Sequence, residues 1–168
     1  MAIKWVILVN NSGSPRLTRF YEQPSASEQQ RLVRTAFQTV AARPDGVCSF
    51  VEDEEAFGKG TKVVYRVFAT LYFVVCVDEA ESELGIVDFI QVFVETLDRV
   101  FDSVCELDII FGMDKAGTVL DEMVCGGMVI ETSTSAVLAA YQDVQKELKV
   151  SDSKPLPTAQ GRPQPRTR

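Results

Sequence analysis

Residues 85–108 constrain the fold more than any other part of this 168-residue chain, because they predict a helix that is apolar over most of its circumference. At 100° per residue, the polar side chains fall on one arc of roughly 100°. These polar residues are Asp88, Gln91, Glu95, Asp98, Arg99 and Asp102. Apolar side chains fill most of the remaining circle, about twice the stripe that a helix needs to cover one sheet. The pattern predicts a helix that is either sandwiched inside its own domain or shared with another protein, and in so small a chain it favours assembly over catalysis.

Charge and composition exclude several functions. The net charge is −7, residues 151–168 contribute +3, and the body of the chain therefore carries −10. An acidic body is a poor nucleic-acid binder, because phosphate contacts need clustered Lys and Arg. The chain contains no histidine, which excludes Ser-His-Asp and Cys-His catalysis and every His-ligated metal site. It also contains no GxxxxGK[ST] or GxGxxG loop, so no cofactor is predicted.

The cysteines and the apolar segments indicate the cellular compartment of the protein. None of the four cysteines has CxxC spacing, and three lie in apolar runs; they are Cys48, Cys76, Cys105 and Cys125. This usage predicts buried thiols in a reducing environment. The sequence has no recognisable signal peptide and no apolar stretch of the ~20 residues needed to span a bilayer. We therefore expect a cytoplasmic protein.

Hydrophobic periodicity predicts five strands, a helix between the second and third of them, and further helices after the fifth. The predicted strands are residues 3–9, 16–21, 47–51, 61–68 and 71–77. Ser25 and Glu28 form a capping box for a helix that ends before Pro44. Further helices are expected from about Leu84, as pieces interrupted by Gly112, Gly117 and Gly126-Gly127, and finally from Ser133 or Thr134. This order predicts an α+β domain with an antiparallel sheet and helices on its faces.

The end of the chain differs from the rest in composition. Residues 151–168 hold four of the seven prolines, a basic excess and almost no apolar side chains. Such a segment cannot bury enough apolar surface to fold. We expect a domain over residues 1–150 and a disordered, Pro-rich basic tail over residues 151–168.

A few polar groups invite a functional interpretation. The acidic run at residues 52–55 is either a solvated loop or a cation site. Glu106 and Asp108 are better explained by capping or a structural contact than by acid-base catalysis, and Cys105 has no histidine to activate it. Arg16, just after a turn, is either an anchor for a carboxylate or an ordinary exposed strand arginine.

Several long motifs occur in a characteristic order. They include IKWVILVNNSGSPRLTRFY at the start, then ATLYFVVCVD, ESELG, FIQVFVETLD, VCELDIIF and EMVCGGMV. Together these motifs resemble the small (sigma) chains of clathrin-adaptor type complexes, and most closely those of adaptor complex 3. The resemblance covers roughly residues 1–150 and does not include the tail.

The resemblance implies a longin-like fold, in which a five-stranded antiparallel sheet is flanked by helices on both faces. It implies a non-catalytic small subunit of a heterotetrameric vesicle-coat adaptor that stabilises the complex. The implied partners are a large adaptin of the delta type and the beta and mu chains. The implied location is cytoplasmic, peripheral on Golgi and endosomal vesicle membranes.

The resemblance also implies recognition of cargo tails with acidic dileucine signals of the form [DE]xxxL[LI]. The matching positions for the leucine pocket are Leu71, Val94, Ser103, Val104 and Ile109. Arg16 matches the basic residue near the acidic end of the signal. Two departures stand out. Asn11 occupies a position where some sigma chains carry arginine, and Ser103 one where some carry asparagine.

Other functions stay open from the sequence. A small hydrolase or transferase is opposed by the missing histidine, phosphate loop and nucleophile pair. A stand-alone longin-type regulator of membrane fusion or of small GTPases is weakened by the short segment that follows the domain. A coat zeta-type subunit is a related alternative.

Overall fold

The computed structural model describes residues 3–44 and 47–152, and its centre is a five-stranded antiparallel sheet with the strand order β2-β1-β5-β4-β3. The strands are β1 Ile3–Asn10, β2 Pro15–Phe20, β3 Phe50–Val51, β4 Thr61–Phe68 and β5 Leu71–Asp78. The helices are α1 Ala26–Ala41, α2 Glu54–Phe57, α3 Glu83–Phe101, α4 Glu106–Phe111, α5 Met113–Met123 and α6 Thr134–Asp152. A two-stranded hairpin, β6 Val124–Cys125 and β7 Met128–Val129, connects α5 to α6. The α+β, longin-like fold class predicted from the sequence is confirmed.

The central strands are buried on both faces, as their continuous apolar character predicts. Along β1, Trp5 and Ile7 pack with Leu32 and other side chains of α1. The alternate residue Leu8 packs instead with α3 and α5. The period of two along a strand therefore divides the core into two apolar layers, one on each face of the sheet.

Helix α3 is sandwiched within its own domain, which is one of the two arrangements that its wide apolar arc predicts. The helix packs on β4 and is covered from the other side by α5 and α6. Phe93 contacts the ring of Phe73 in the sheet at 5.9 Å between centroids, and Ile86 and Leu97 are fully buried. Three contact surfaces account for an apolar arc that one sheet alone would not need.

The start of α3 is held by a buried charge. Lys62 on β4 is only 5 % exposed and pairs with Glu83 in the first turn of α3. The Lys62 ammonium group lowers the pKa of Glu83 through its hydrogen bond. Ser82 caps the helix, because its Oγ accepts from the backbone N–H of Gly85 at 3.3 Å. These contacts fix the position of α3 over the sheet.

Two local predictions are corrected by the structure. The acidic run is not only a loop, because Asp53 caps the short helix α2 by accepting from the N–H of Ala56 at 3.0 Å. Gly117 does not interrupt a helix but lies inside α5. A Cβ at this position would lie 3.2 Å from Nη2 of Arg19, so glycine permits the close approach of α5 to β2.

The last helix, α6, begins at Thr134 as predicted and continues to Asp152, two residues past the expected domain boundary. Its predicted apolar face is buried at Val137, half-buried at Tyr141 and exposed at Leu148. Residues 153–168, the rest of the predicted tail, lie outside the described residues. Within residues 3–44 and 47–152, no helix is long and apolar enough to cross a membrane.

Candidate functional site

A sharp turn between α3 and α4 borders a cavity of the domain. Asp102 and Ser103 adopt left-handed backbone conformations, with φ of 54° and 79°. The turn is held by Asp98, whose carbonyl accepts from the N–H of Ser103 at 3.0 Å and whose Oδ1 accepts from the N–H of Val104 at 3.1 Å. Asp108 caps α4 by accepting from the N–H of Cys105 at 2.9 Å, as its capping interpretation predicted. The turn directs α4 back towards the sheet and leaves a space between α4, α3 and β5.

This α3–α4 cavity has a volume of about 450 Å³, within the roughly 300–1,000 Å³ usual for ligand sites. Its main apolar lining consists of Leu71, Phe73, Val94, Leu97, Val104 and Ile109. Its main polar lining consists of Gln91, Glu95, Asp98, Arg99, Cys105 and Glu106. Leu97 and Ile109 at its wall are fully buried, so the cavity reaches the hydrophobic core. It can take branched apolar side chains and place polar groups beside them.

The predicted leucine pocket and the α3–α4 cavity largely coincide. Leu71, Val94, Val104 and Ile109 all line the cavity. Ser103 does not line it, and its side chain is exposed at the α3–α4 turn. The structure therefore brings four of the five predicted pocket residues together.

Arg16 does not line the cavity itself but lies beside it, behind Glu106, at a β-bulge in β2. Leu8 pairs with Leu17, and Val9 pairs with Pro15, so Arg16 is the extra residue without a partner on β1. A bulge re-aims the side chain that it carries. The guanidinium group of Arg16 reaches Glu106 in the first turn of α4.

Glu106 is the centre of a polar cluster that joins four segments of the chain. Its Oε1 accepts from Nε of Arg16 at 2.9 Å, from Nη2 of Arg16 at 2.8 Å and from Nδ2 of Asn10 at 3.0 Å. Its Oε2 accepts from the hydroxyl of Thr70 at 3.0 Å. Hydrogen bonds from Arg16, Thr70 and Asn10 lower the pKa of Glu106, although burial opposes them. The Glu106 carboxylate is therefore ionised at neutral pH.

Asn10 connects this cluster to the turn between β1 and β2. Its Oδ1 accepts from the backbone N–H groups of Ser12 at 3.0 Å and Ser14 at 2.8 Å, which fixes the turn. Asn11, the position where some sigma chains carry arginine, is exposed in the same turn. The turn therefore holds Asn10 in place beside α4, together with Arg16 of the next strand.

The thiols are less buried than the sequence predicts. Only Cys76 is buried among the four, and burial raises its pKa to about 12. Cys48, Cys105 and Cys125 are exposed, so the buried-thiol prediction is wrong for these three. Cys105 also lines the α3–α4 cavity. Within the described part of the chain, no group of three or more Cys, Asp or Glu side chains could hold a metal ion.

Sequence reasoning missed several cavity residues. Gln91 and Glu95 lie on the polar arc of α3, one helical turn apart, and Nε2 of Gln91 donates to Oε1 of Glu95 at 2.8 Å. Val94, which was predicted for the pocket, lies next to this arc at the edge of the apolar stripe. Its position was the sequence signal that could have pointed to Gln91 and Glu95. Thr70, in the turn between β4 and β5, carried no such signal.

Comparison with known proteins identifies the family of this chain. The model of the family described as clathrin adaptor complex small chain matches residues 2–148. The chain belongs to the clathrin adaptor small-chain family. It is 46% identical over 154 residues to the AP-3 complex subunit sigma of Dictyostelium discoideum, covering 90% of each chain. It is 49% identical over 151 residues to the human AP-3 complex subunit sigma-2, covering 89% of this chain and 78% of the human one.

A structural comparison gives the same family. The fold matches a chain of a homology model of the full-length AP-3 complex in a stretched open conformation, with a TM-score of 0.68 and 36% sequence identity. The match covers 90% of this chain and 98% of that chain. Because the clathrin adaptor small-chain family consists of adaptor components, the chain is not an enzyme, and the hydrolase and transferase alternatives are excluded.

Proposed function

We propose that this chain is the small subunit of an AP-3 adaptor complex and binds acidic dileucine signals of cargo tails in the α3–α4 cavity. The observation that carries the proposal is the cavity itself, which is about 450 Å³ in volume and is lined by Leu71, Val94, Val104 and Ile109. Both leucine side chains of a [DE]xxxL[LI] signal would bind there. The upstream acidic residue would approach Arg16 beside the cavity.

The energies expected for the two parts of such a signal differ. A fully buried leucine side chain contributes about 1.5–3 kcal/mol. An exposed charge pair contributes about 0–1 kcal/mol. Arg16 is about one-quarter exposed and already has a carboxylate partner, so its attraction for a ligand falls in the lower range. The leucines therefore supply most of the binding energy in this proposal.

The partners proposed for the chain are a large adaptin of the delta type and the beta and mu chains. Exposed apolar side chains support burial by another subunit, and several of them cluster at the α4–α5 junction. Leu107 is 61 % exposed, Phe111 84 % and Met113 54 %. Large exposed apolar side chains that lie close together in the chain favour an interaction site here. Through the complex, the chain would stabilise the coat and associate peripherally with Golgi and endosomal vesicle membranes.

The test compares two Val→Asp substitutions on opposite faces of the sheet. Val94 is half-buried on α3 in the cavity, and Val33 is half-buried on α1 on the other face. Val94→Asp places a carboxylate where a leucine should bind, so the affinity of the assembled complex for an ExxxLL peptide should be nearly lost. Val33→Asp introduces the same charge and should bind like the wild type. Isothermal titration of each complex measures the difference.

Assembly is checked by gel filtration of both variants before titration. An ExxxAA peptide, which lacks both leucines, controls for contacts outside the cavity. Wild-type affinity for ExxxLL in an intact Val94→Asp complex would contradict the cavity assignment.

A further inference from the structure

On the face of the sheet opposite to the α3–α4 cavity, an open groove lies between β2 and α1. Its volume is about 410 Å³, and its lining includes Thr18, Phe20, Val33 and Arg34. The body of the chain is acidic, yet no Asp or Glu among the described residues lines this β2–α1 groove. The groove therefore offers apolar surface and a positive charge on an otherwise acidic domain.

One wall of the β2–α1 groove is the outer edge of the sheet, because β2 is the first strand in the order β2-β1-β5-β4-β3. The N–H of Tyr21 donates to the carbonyl of Lys4 on β1 at 2.9 Å. Hydrogen-bonded positions alternate along an antiparallel pair, so the N–H and C=O groups of Thr18 and Phe20 point away from β1. Within residues 3–44 and 47–152, no strand pairs with them on that side.

Natural sheets protect a free edge with proline, a bulge or charged side chains, and β2 has this protection only in its first half. Pro15 has no N–H, and Arg16 forms the bulge. In the second half, the charged residue Arg19 lies on the other face of the sheet and pairs with a carboxylate of α5. The edge at Thr18 and Phe20 therefore remains a template for another extended backbone.

The side chains of an added strand would alternate between the two faces of the sheet. Thr18 is paired with Ile7 and Phe20 with Trp5, and both partners on β1 pack against α1. Residues of the added strand opposite Thr18 and Phe20 would share this face and point into the groove. The groove therefore takes two side chains from alternate positions of an extended segment.

Arg34 gives the groove its preference for an acidic segment. Its side chain is exposed, and it forms no ion pair with a residue that the structure describes. Arg31, one helical turn earlier on α1, is already paired with Glu28 at 2.6 Å. A guanidinium group binds a carboxylate through two parallel hydrogen bonds, so Arg34 suits an Asp or Glu at one groove-facing position. Phe20 and Val33 suit an apolar side chain at the other.

Two other occupants of this edge are disfavoured by charge. Residues 153–168 of this chain hold four basic residues and no acidic one, so they do not complement Arg34. A second copy paired through β2 would bring its own Arg16 and Arg19 to the same edge, where like charges repel. A separate acidic polypeptide fits the groove better than either.

We propose that the β2–α1 groove binds an extended, acidic segment of another polypeptide, which adds a strand to the outer edge of β2. Main-chain hydrogen bonds to Thr18 and Phe20 supply affinity, and the alternate side chains supply specificity. The acidic side chain contacts Arg34, and an apolar side chain two positions away contacts Phe20 and Val33. The groove and the α3–α4 cavity lie on opposite faces of the sheet, so the inference does not depend on the proposed binding of dileucine signals.

The probe is the synthetic peptide Thr-Glu-Thr-Val-Thr-Val-Thr, whose Glu and Val side chains lie on one face of an extended chain. Isothermal titration compares it with a peptide that has Lys in place of Glu, on assembled wild-type, Arg34→Glu and Arg31→Glu complexes. The wild type should prefer the Glu peptide by about five-fold. Arg34→Glu should reverse this preference, because the charge beside the ligand changes sign. Arg31→Glu makes the same change outside the groove lining and should keep the wild-type preference.

N-methylation of the probe separates strand addition from other modes of binding. Methyl groups on the N atoms of the two Val residues, whose N–H groups would face β2, should weaken binding by about ten-fold. Methyl groups on the two Thr residues that precede them would face solvent and should have little effect. Equal effects of the two modified peptides would overturn strand addition.

Two substitutions on opposite faces of the sheet locate the probe, after gel filtration has confirmed assembly. Val33→Asp should abolish binding of the Glu peptide, whereas Val94→Asp in the cavity should leave it unchanged. The reverse result would overturn the proposal, and so would the absence of binding to the wild-type complex at millimolar concentration. Because the probe contains no leucine, either failure leaves the dileucine proposal to its own test.

Two further measurements exclude the other occupants. Deletion of residues 153–168 should leave the affinity of the probe unchanged, and a large increase would assign the groove to the tail instead. Sedimentation velocity of the wild-type complex should give the same mass with and without the probe. A dimer that the probe dissociates would assign the edge to a second copy and overturn the proposal.

Discussion

Two depressions of similar size lie on opposite faces of the sheet, and they differ in what lines them. The α3–α4 cavity measures about 450 Å³, and a groove between β2 and α1 measures about 410 Å³. The cavity reaches buried core residues such as Leu97 and Ile109. The groove is lined by half-buried or exposed residues, including Gln30, Arg34 and Val33, and by no buried one. Volume therefore does not distinguish the two depressions, whereas access to the apolar core beside a polar corner does.

The largest expected difference between the two depressions is in stability. Ile109→Ala removes a fully buried side chain and should lower the free energy of unfolding by about 2–3 kcal/mol, near the low end for such changes because one side already faces a cavity. Val33→Ala removes half-buried atoms of the groove and should cost about 1 kcal/mol or less. Urea denaturation of the full chain, followed by the fluorescence of the single tryptophan, buried Trp5, gives both values. Equal losses of unfolding free energy would mean that the two linings contribute equally to stability.

A smaller difference is expected between two arginines of β2. Arg16→Ser should weaken binding of an ExxxLL peptide to the complex modestly, by about 1 kcal/mol or less. The loss should be greater at low salt, because Glu106 is then left as an unpaired negative charge near the ligand. Arg19→Ser breaks the pair with Asp121 away from the cavity and should leave peptide affinity unchanged. Equal effects of the two substitutions on peptide affinity would show that Arg16 has no specific role in peptide binding.

The framework of the fold follows from local patterns that can be read in the sequence. Continuous β-branched runs predict central strands buried on both faces, and β1 and β5 have this burial. The capping box predicted at Ser25 and Glu28 gives the start of α1, which begins at Ala26, but only the Ser25 half forms, because the Glu28 carboxylate accepts from Arg31 instead. The wide apolar arc of α3 predicts extensive contact but does not specify the contact partner. Its own domain supplies three contact surfaces, which are the sandwiched arrangement of the two that the pattern predicts.

The cavity depends on features without a local sequence signal. The end of α3 is set by two residues in left-handed conformations, Asp102 and Ser103. Neither is glycine, so the sequence gives no glycine signal for this turn. The direction of Arg16 is set by a bulge, which appears only when β2 is paired with β1. Glu106 lies 90 positions away from Arg16, and nothing in either segment predicts their contact. The resemblance to sigma chains identified four of the residues that line the cavity. Their spatial arrangement is known only from the folded structure.

The exposed cysteines allow the central claim to be tested without a mutation in the site. Cys105 lines the α3–α4 cavity, whereas Cys48 and Cys125 are exposed outside it. Alkylation by a maleimide, followed by mass spectrometry of this chain in the assembled complex, gives a rate for each thiol. A saturating ExxxLL peptide should slow alkylation of Cys105 selectively, with Cys48 and Cys125 as internal references and an ExxxAA peptide without effect. Undiminished alkylation of Cys105 in a complex that titration shows to be saturated with ExxxLL would contradict binding in this cavity.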